Sequence, residues 1–264
     1  MSGTVLVIDS EGFIGNYVCH HLIEHGYDVM NFDKTINPNM DTLYFDSLPK
    51  TDYIINLAGL VGLKYCLDNP INAIYQNTLG VTRLLEHIKN TTTVFIHIST
   101  WAVEGKLENP YDITKLAGEN MVMSYIKRGL VKGCVCRLGT AYGKGMSKLG
   151  VIPTMVKRMR KGQALIIHGR GDQIRQFTHV WDIAQGIIAV MEKGENQEIY
   201  NVVSDEVVSV KQIADLFSSN IQYKEKREGD EEYNPIDNIK LKMLGWTPKV
   251  KFKDGVQEIK NWIQ

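Results

Sequence analysis

Val5-Leu6-Val7-Ile8 is a short, wholly apolar run rich in β-branched side chains, and Gly12 and Gly15 follow it just ahead of a helix-like pattern. Such a run reads as a strand covered on both faces, the kind found inside a parallel sheet. The spacing Asp9-x-x-Gly12-x-x-Gly15 is that of a glycine loop that wraps a dinucleotide's diphosphate at a helix N-terminus, with Asp9 in the slot of the first glycine. Gly12 and Gly15 allow close backbone approach, Phe13 and Ile14 open the helix, and Ser10 offers a hydroxyl to the phosphates. A carboxylate at Asp9 about 5 Å from a diphosphate charge would repel it by roughly 3 kcal/mol at an effective dielectric of 20. Turned away from the diphosphate, it would be harmless.

Further apolar runs follow at Val29 to Phe32, Tyr53 to Leu57, Val94 to Ile98 and Val131 to Leu138, with helical patterns at Phe13 to Glu24, Ile71 to Asn90 and Ile113 to Arg128. This rhythm predicts an α/β fold, a Rossmann-like doubly wound parallel sheet over residues 1–150. Past Gly150 the rhythm loosens. Helices are expected over Val151 to Lys161, Ile183 to Glu192, Lys211 to Ser219 and Gly255 to Ile263, with a strand at Ala164 to Ile167. Residues 151–264, including the turn Leu244-Gly245-Trp246-Thr247-Pro248, read as a smaller mixed α/β substrate lobe, with elements open to exchange between the lobes.

Thirty basic and thirty acidic side chains give a formal charge of zero, which disfavours a nucleic-acid partner. The four cysteines, Cys19, Cys66, Cys134 and Cys136, have no metal-ligand spacing and read as buried apolar groups in a reducing compartment. The N-terminus leads straight into the first strand and no apolar run approaches a membrane span, so a cytoplasmic protein with no membrane contact and no metal is expected.

The second strand ends at Asp33, placed to accept both hydroxyls of an adenosine ribose and to repel a 2′-phosphate, which favours NAD over NADP. Tyr111 and Lys115 are four residues apart and fall on one helix face. An ammonium there is expected to lower the phenol's pKa so that Tyr111 takes a hydroxyl proton as hydride leaves carbon. Ser99-Thr100, at the end of the preceding strand, places a hydroxyl beside the same cleft, where Thr100 would hold the substrate oxygen. His179 reads as a packed, hydrogen-bonded residue and Asp182 as the cap of the helix from Ile183.

Taken in order, Gly12-Phe13-Ile14-Gly15, Asp33, Leu57-Ala58-Gly59, Asn77 with Gly80, Ser99-Thr100, Tyr111 with Lys115, Arg137 with Tyr142-Gly143, and Arg175 to Asp182 resemble the extended short-chain dehydrogenase/reductase family. The likeness is to its NAD-dependent sugar-nucleotide epimerase/dehydratase branch. It implies Thr100, Tyr111 and Lys115 as the catalytic set. It implies that Leu57, Ala58 and Gly59 line the nicotinamide side, that Asp46 and Asn77, with Tyr111 and Lys115 in a second role, belong to the cofactor site, and that Trp101 and Arg175 join Thr100 at the substrate, Arg175 on its diphosphate. A homodimer through the Ile71–Asn90 and Ile113–Arg128 helices is also expected.

The departures from the family pattern select among reactions. Family dehydratases carry Thr-Asp-Glu where this chain has Thr100-Trp101-Ala102, so a 4,6-dehydratase is disfavoured; decarboxylases lack their glutamate here and thiol-bearing epimerase-reductases their cysteine. What remains is hydride transfer at one carbinol carbon: an NAD-dependent sugar-nucleotide epimerase acting at C4, or alternatively a dehydrogenase or reductase. Short segments after Asp33 and between Gly105 and Tyr111, Glu104 in place of a tyrosine, and Asp9 itself leave a third reading, a catalytically weakened nucleotide-binding protein.

Overall fold

A computed structural model describes residues 3–148, 150–225 and 234–263. The chain divides into two compact units, one of residues 1–138, 184–202 and 239–247, the other of residues 139–183, 203–238 and 248–264. The first boundary falls at 138/139, and segments 184–202 and 239–247 return to the first unit. Sheet pairing gives the reason, because the last strand of the main sheet lies some sixty residues beyond its neighbour in the chain.

The first unit is built on six strands: β1 (Thr4–Ile8), β2 (Asp28–Phe32), β3 (Tyr53–Asn56), β4 (Val94–Thr100), β5 (Lys132–Leu138) and β6 (Ile199–Val202). They run in the order β6-β5-β4-β3-β1-β2, every pairing parallel. Val5, Leu6, Val7 and Ile8 are all buried, as a strand covered on both faces requires. Helices α1 (Phe13–Glu24), α2 (Leu63–Asp68), α3 (Pro70–Ile74), α4 (Gly80–Ile88) and α5 (Pro110–Lys127) accompany this sheet. One core joins Leu6, Ile54 and Phe95 of the strands to Leu84, Leu85 and Ile126 of the helices. After β2 the chain returns to the other side of β1 to form β3, so the order reverses at β1. The crevice beyond the carboxyl ends of β1 and β3 is where such sheets take ligands.

The continuous helix expected over Ile71 to Asn90 is interrupted. Between α3 and α4, residues Tyr75–Leu79 form a π-helical turn. Its reason lies in Asn77, buried at 1% exposure, whose amide accepts from Leu60 N–H at 2.7 Å and donates to Leu60 C=O at 3.1 Å and Thr114 Oγ1 at 3.0 Å. The wider turn carries this amide inward, a use of π-bulges common near functional sites. Gly118 of α5 packs directly on the same turn, where a Cβ would overlap the Asn77 carbonyl oxygen.

In the second unit, Tyr142, Ile152, Ile167, Phe177, Ile213 and Ile259 share one core. Short pairs of strands frame it, Thr140–Tyr142 with Phe177–His179, Leu165–His168 with Ile221–Lys224, and Ile174–Arg175 antiparallel to Val208–Ser209. His179 is packed and bonded, its Nδ1 accepting from Trp181 N–H at 3.3 Å while Nε2 meets Glu258 at 3.1 Å. Asp182 does not cap a helix: the helix starts earlier, at Val180, and the carboxylate accepts from Lys249 and Val250 N–H at 3.0 and 2.9 Å, pinning the loop there. The turn expected to complete this lobe belongs as far as Thr247 to the first unit, where Trp246 lies buried beside Gly186 of the helix Val180–Lys193. Among the described residues no helix is long and apolar enough to cross a membrane.

Candidate active site

The loop after β1 is shaped by its first residue. Asp9 N–H donates to Phe32 C=O at 2.9 Å, and Asp9 then turns into the left-handed region at φ 66°. Glycine adopts that conformation freely, and aspartate is among the few L residues that visit it. The Asp9 carbonyl in turn accepts from Gly12 N–H at 3.1 Å. A Cβ on Gly15 would overlap that carbonyl, and a Cβ on Gly12 would overlap the Asp9 carboxylate. Both glycines are therefore demanded by the loop itself, and the carboxylate leans over the start of α1. Ser10 Oγ is buried without a hydrogen-bond partner among the described residues. Phe13 and Ile14 are half-buried at the opening of α1.

Beside this loop lies a pocket lined by Ile8, Asp9, Asp33, Lys34, Ala58 and Gly59. Asp33 accepts from Thr35 N–H and Oγ1, both at 2.8 Å, and from Glu11 N–H at 3.0 Å. Burial pushes its carboxyl up, but these donors and Lys34 outweigh burial and hold it below the usual carboxylate range. Asp9, although exposed as a residue, is pushed up to about 6, first by loss of water around its carboxyl and then by Asp33, with Lys34 opposing. Leu57 continues β3 by donating its N–H to Ile8 C=O at 3.1 Å. Asp46 falls elsewhere: it is exposed and lines a separate hollow with Arg83 and His87, while Asp41 and Thr42 take the position at the pocket. The short chain segment after β2 accounts for the shift. The unpartnered Ser10 hydroxyl, the glycine cradle at a helix start and the ionised Asp33 fit a dinucleotide's diphosphate and ribose.

The residues expected to handle protons come from β4 and α5. Asn109 caps α5 by accepting from Tyr111 N–H at 2.9 Å, and Pro110 sits at the first helical position. Tyr111, Lys115 and Glu119 then follow at intervals of four along one face. Tyr111 is hydrogen-bonded to Thr100, whose Oγ1 accepts from Ala102 N–H at 3.3 Å, which leaves the threonine hydroxyl proton for the phenol oxygen. Lys115, 5% exposed, donates to Ile98 C=O at 2.7 Å. Its ammonium stands 3.5 Å from the place of a Cβ on Gly59, so the β3 end and α5 meet at this lysine. Trp101 and Ala102 form the short turn that follows Thr100.

The charge balance departs from expectation in one respect. Tyr111 is not lowered but pushed up to about 12, because burial dominates, and Asp112 and Cys66 add to it while the Thr100 hydrogen bond works against it. Lys115 is committed to the Ile98 carbonyl. Burial lowers Lys115 to about 8, with Glu119 acting to raise it.

Spacing alone did not single out the support behind Lys115. Glu119, 2% exposed, is paired with Arg137 of β5 through the arginine's Nε and Nη2, and Arg137 also holds Glu104 from the turn after β4. The signal available in the sequence was the four-residue step from Lys115 to Glu119. Arg175 lies in the second unit, half-buried on a two-residue strand paired with Val208, with its Nη1 donating to Ile174 C=O at 2.7 Å. Among the described residues no cluster of histidine, cysteine, aspartate or glutamate could hold a metal ion.

Residues 5–203 match the NAD dependent epimerase/dehydratase family. The chain belongs to that family. It is similar in structure to UDP-glucose 4-epimerase from Thermotoga maritima, with a TM-score of 0.87, 25% identity and 98% of each chain covered. In sequence it is 27% identical to a UDP-N-acetyl-alpha-D-glucosaminuronate decarboxylase of Bacillus cytotoxicus, over 100% of this chain and 98% of that protein. It is 25% identical to the dTDP-D-glucose 4,6-dehydratase of Bos taurus, over 98% of this chain and 88% of that protein. These alignments run over 317 and 314 positions against the 264 residues here, so both relatives carry residues this chain lacks. The family's NAD dependence agrees with the pocket. Relatives with three different reactions leave the choice of reaction to the site.

Glu119→Gln should leave Arg137 half-paired in a buried setting and remove the charge that helps keep Lys115 protonated. A loss of about 3 kcal/mol in urea unfolding is expected; an unchanged midpoint would show that the ion pair contributes nothing to holding α5 on β5.

Proposed function

We propose that this chain is an NAD-dependent 4-epimerase of a nucleotide-linked sugar, with a UDP-sugar as the substrate class. The single observation that carries the reading is the turn after β4: Thr100 is hydrogen-bonded to Tyr111, and the one acid within the turn Trp101–Glu104, Glu104, is paired with Arg137. Elimination of water from a sugar needs an acid and a base at this turn. Positions 101 and 102 are tryptophan and alanine, and the nearby Glu104 is paired with Arg137. Hydride exchange at a single carbinol carbon needs only the groups present.

In this reading Ser10, Gly12, Phe13, Ile14 and Gly15 receive the cofactor's diphosphate and Asp33 its ribose. Leu57, Ala58, Gly59 and Asn77 shape the nicotinamide side. NAD supplies the hydride acceptor and, when oxidised, a positive ring. Thr100 orients the sugar hydroxyl against Tyr111, which accepts its proton and later returns it from the same oxygen. The high resting pKa of Tyr111 suits the return step, and the Thr100 hydrogen bond stabilises the phenolate needed for the first. Lys115, fixed by Ile98, contributes a charge that is lost as pH rises through about 8. Trp101 is the candidate for the sugar, and the Arg175 guanidinium, in the second unit, is of a chemistry suited to a diphosphate.

The exposed apolar side chains Ile71, Ile74, Leu79 and Ile113 on α3, the π turn and α5 support a homodimer through these helices. Sedimentation velocity should then give a dimer, and a monomer at micromolar concentration would remove that part of the reading.

A panel of UDP-, GDP- and dTDP-sugars followed by NMR should show conversion between C4 epimers for a UDP-sugar. Tyr111→Phe should bind NAD as before and lose about 10²-fold or more in turnover. Undiminished turnover in that variant would take the acid/base role from Tyr111.

A further inference from the structure

Resting on the NAD assignment above, we infer that binding of the dinucleotide is coupled to uptake of a proton by the Asp9 carboxylate, so that cofactor affinity in this chain falls as pH rises. The geometry begins with the backbone. Asp9 occupies the left-handed slot of the loop at φ 66°, and its carboxylate lies where a side chain on Gly12 would otherwise stand, over the opening turn of α1. That turn is where a diphosphate is received. A carboxylate already there and an arriving dianion repel each other.

The groups that face Asp9 decide which of them changes charge. From the segment after β2 come Asp33 and Lys34, and Asp41 lines the same pocket. Within its own loop Glu11 has its N–H engaged by Asp33. The Asp33 carboxylate accepts three hydrogen bonds and stays ionised, so it cannot relieve the crowding. Lys34 is exposed and shared between the two acids. Among the described residues Asp9 has no such set of donors, and its pKa of about 6 already lies within reach of neutral pH. The added negative charge of a diphosphate raises it further. The proton comes from solvent, forms an O–H bond on one carboxylate oxygen, and turns a repelling acceptor into a donor; no bond in the cofactor changes.

The sign follows from linkage. Below about pH 6 the free protein already carries the proton and binding costs none; above it each binding event must draw one in, so affinity weakens with rising pH. The test is calorimetric titration of the full chain with NAD at about pH 7 in phosphate and in Tris, whose ionisation enthalpies differ, together with dissociation constants at pH 6, 7 and 8. The wild type is expected to take up a substantial fraction of a proton and to weaken on the order of tenfold from pH 6 to 8. Asp9→Asn and Asp9→Gly, both suited to the left-handed slot, should take up none and hold their affinity across that range. A wild type with no uptake and a flat profile, or variants that keep the wild-type uptake, would overturn the coupling alone. Absence of NAD binding in the wild type and in Asp9→Gly alike would instead overturn the cofactor assignment beneath it.

Discussion

An ammonium buried at the carboxyl end of a parallel sheet is the constraint around which the first unit is arranged. Removing such a charge from water is costly unless it is hydrogen-bonded and balanced. Lys115 meets this with the Ile98 carbonyl at 2.7 Å and with Glu119 one turn along α5, which Arg137 of β5 in turn neutralises. Ile98 and Arg137 belong to two different strands, so α5 has one seating on the sheet. The π turn locks the same seat from the other side, through the Asn77 amide on Leu60 and Thr114 and through contact with Gly118. Tyr111 is placed against Thr100 as a consequence.

Much of this was legible in the sequence because the signals were local. Val5 to Ile8, Gly12 with Gly15, and Tyr111 with Lys115 each declare a strand, a loop and a helix face within a dozen residues. Other features depended on contacts distant in the chain. Strand β6 pairs with β5 across an intervening segment that builds the second unit, so its short apolar run had no neighbouring rhythm to announce it. The π turn exists because Asn77 must reach Leu60 and Thr114, which no periodicity encodes. Asp182 had the residue type of a cap, but its helix starts two residues earlier and its carboxylate found backbone donors in the 249–250 loop instead. Asp46 missed the pocket because the shortened segment after β2 brings Asp41 and Thr42 there.

The chemistry of the site was legible in kind and not in balance. Residue types and spacing brought Thr100, Tyr111 and Lys115 forward as candidates, yet burial, which only the fold supplies, reverses the expected direction at Tyr111 and weakens Lys115 as a cation. The same holds at Asp9, where the residue type posed the question and the backbone conformation answered it by laying the carboxylate over the helix start. Relatives within the family carry out epimerisation, decarboxylation and dehydration. In the proposed reading the turn Thr100-Trp101-Ala102, with Glu104 bound to Arg137, leaves only what reversible hydride transfer needs.

That claim is tested most directly by the fate of hydrogen at C4. A UDP-sugar deuterated at C4 and incubated with the enzyme in ordinary water should yield the C4 epimer with the deuterium still at C4, since the hydride leaves and returns without meeting solvent. Loss of the label to water, release of a keto sugar with net reduction of NAD, or a product lacking the C6 hydroxyl would contradict the account.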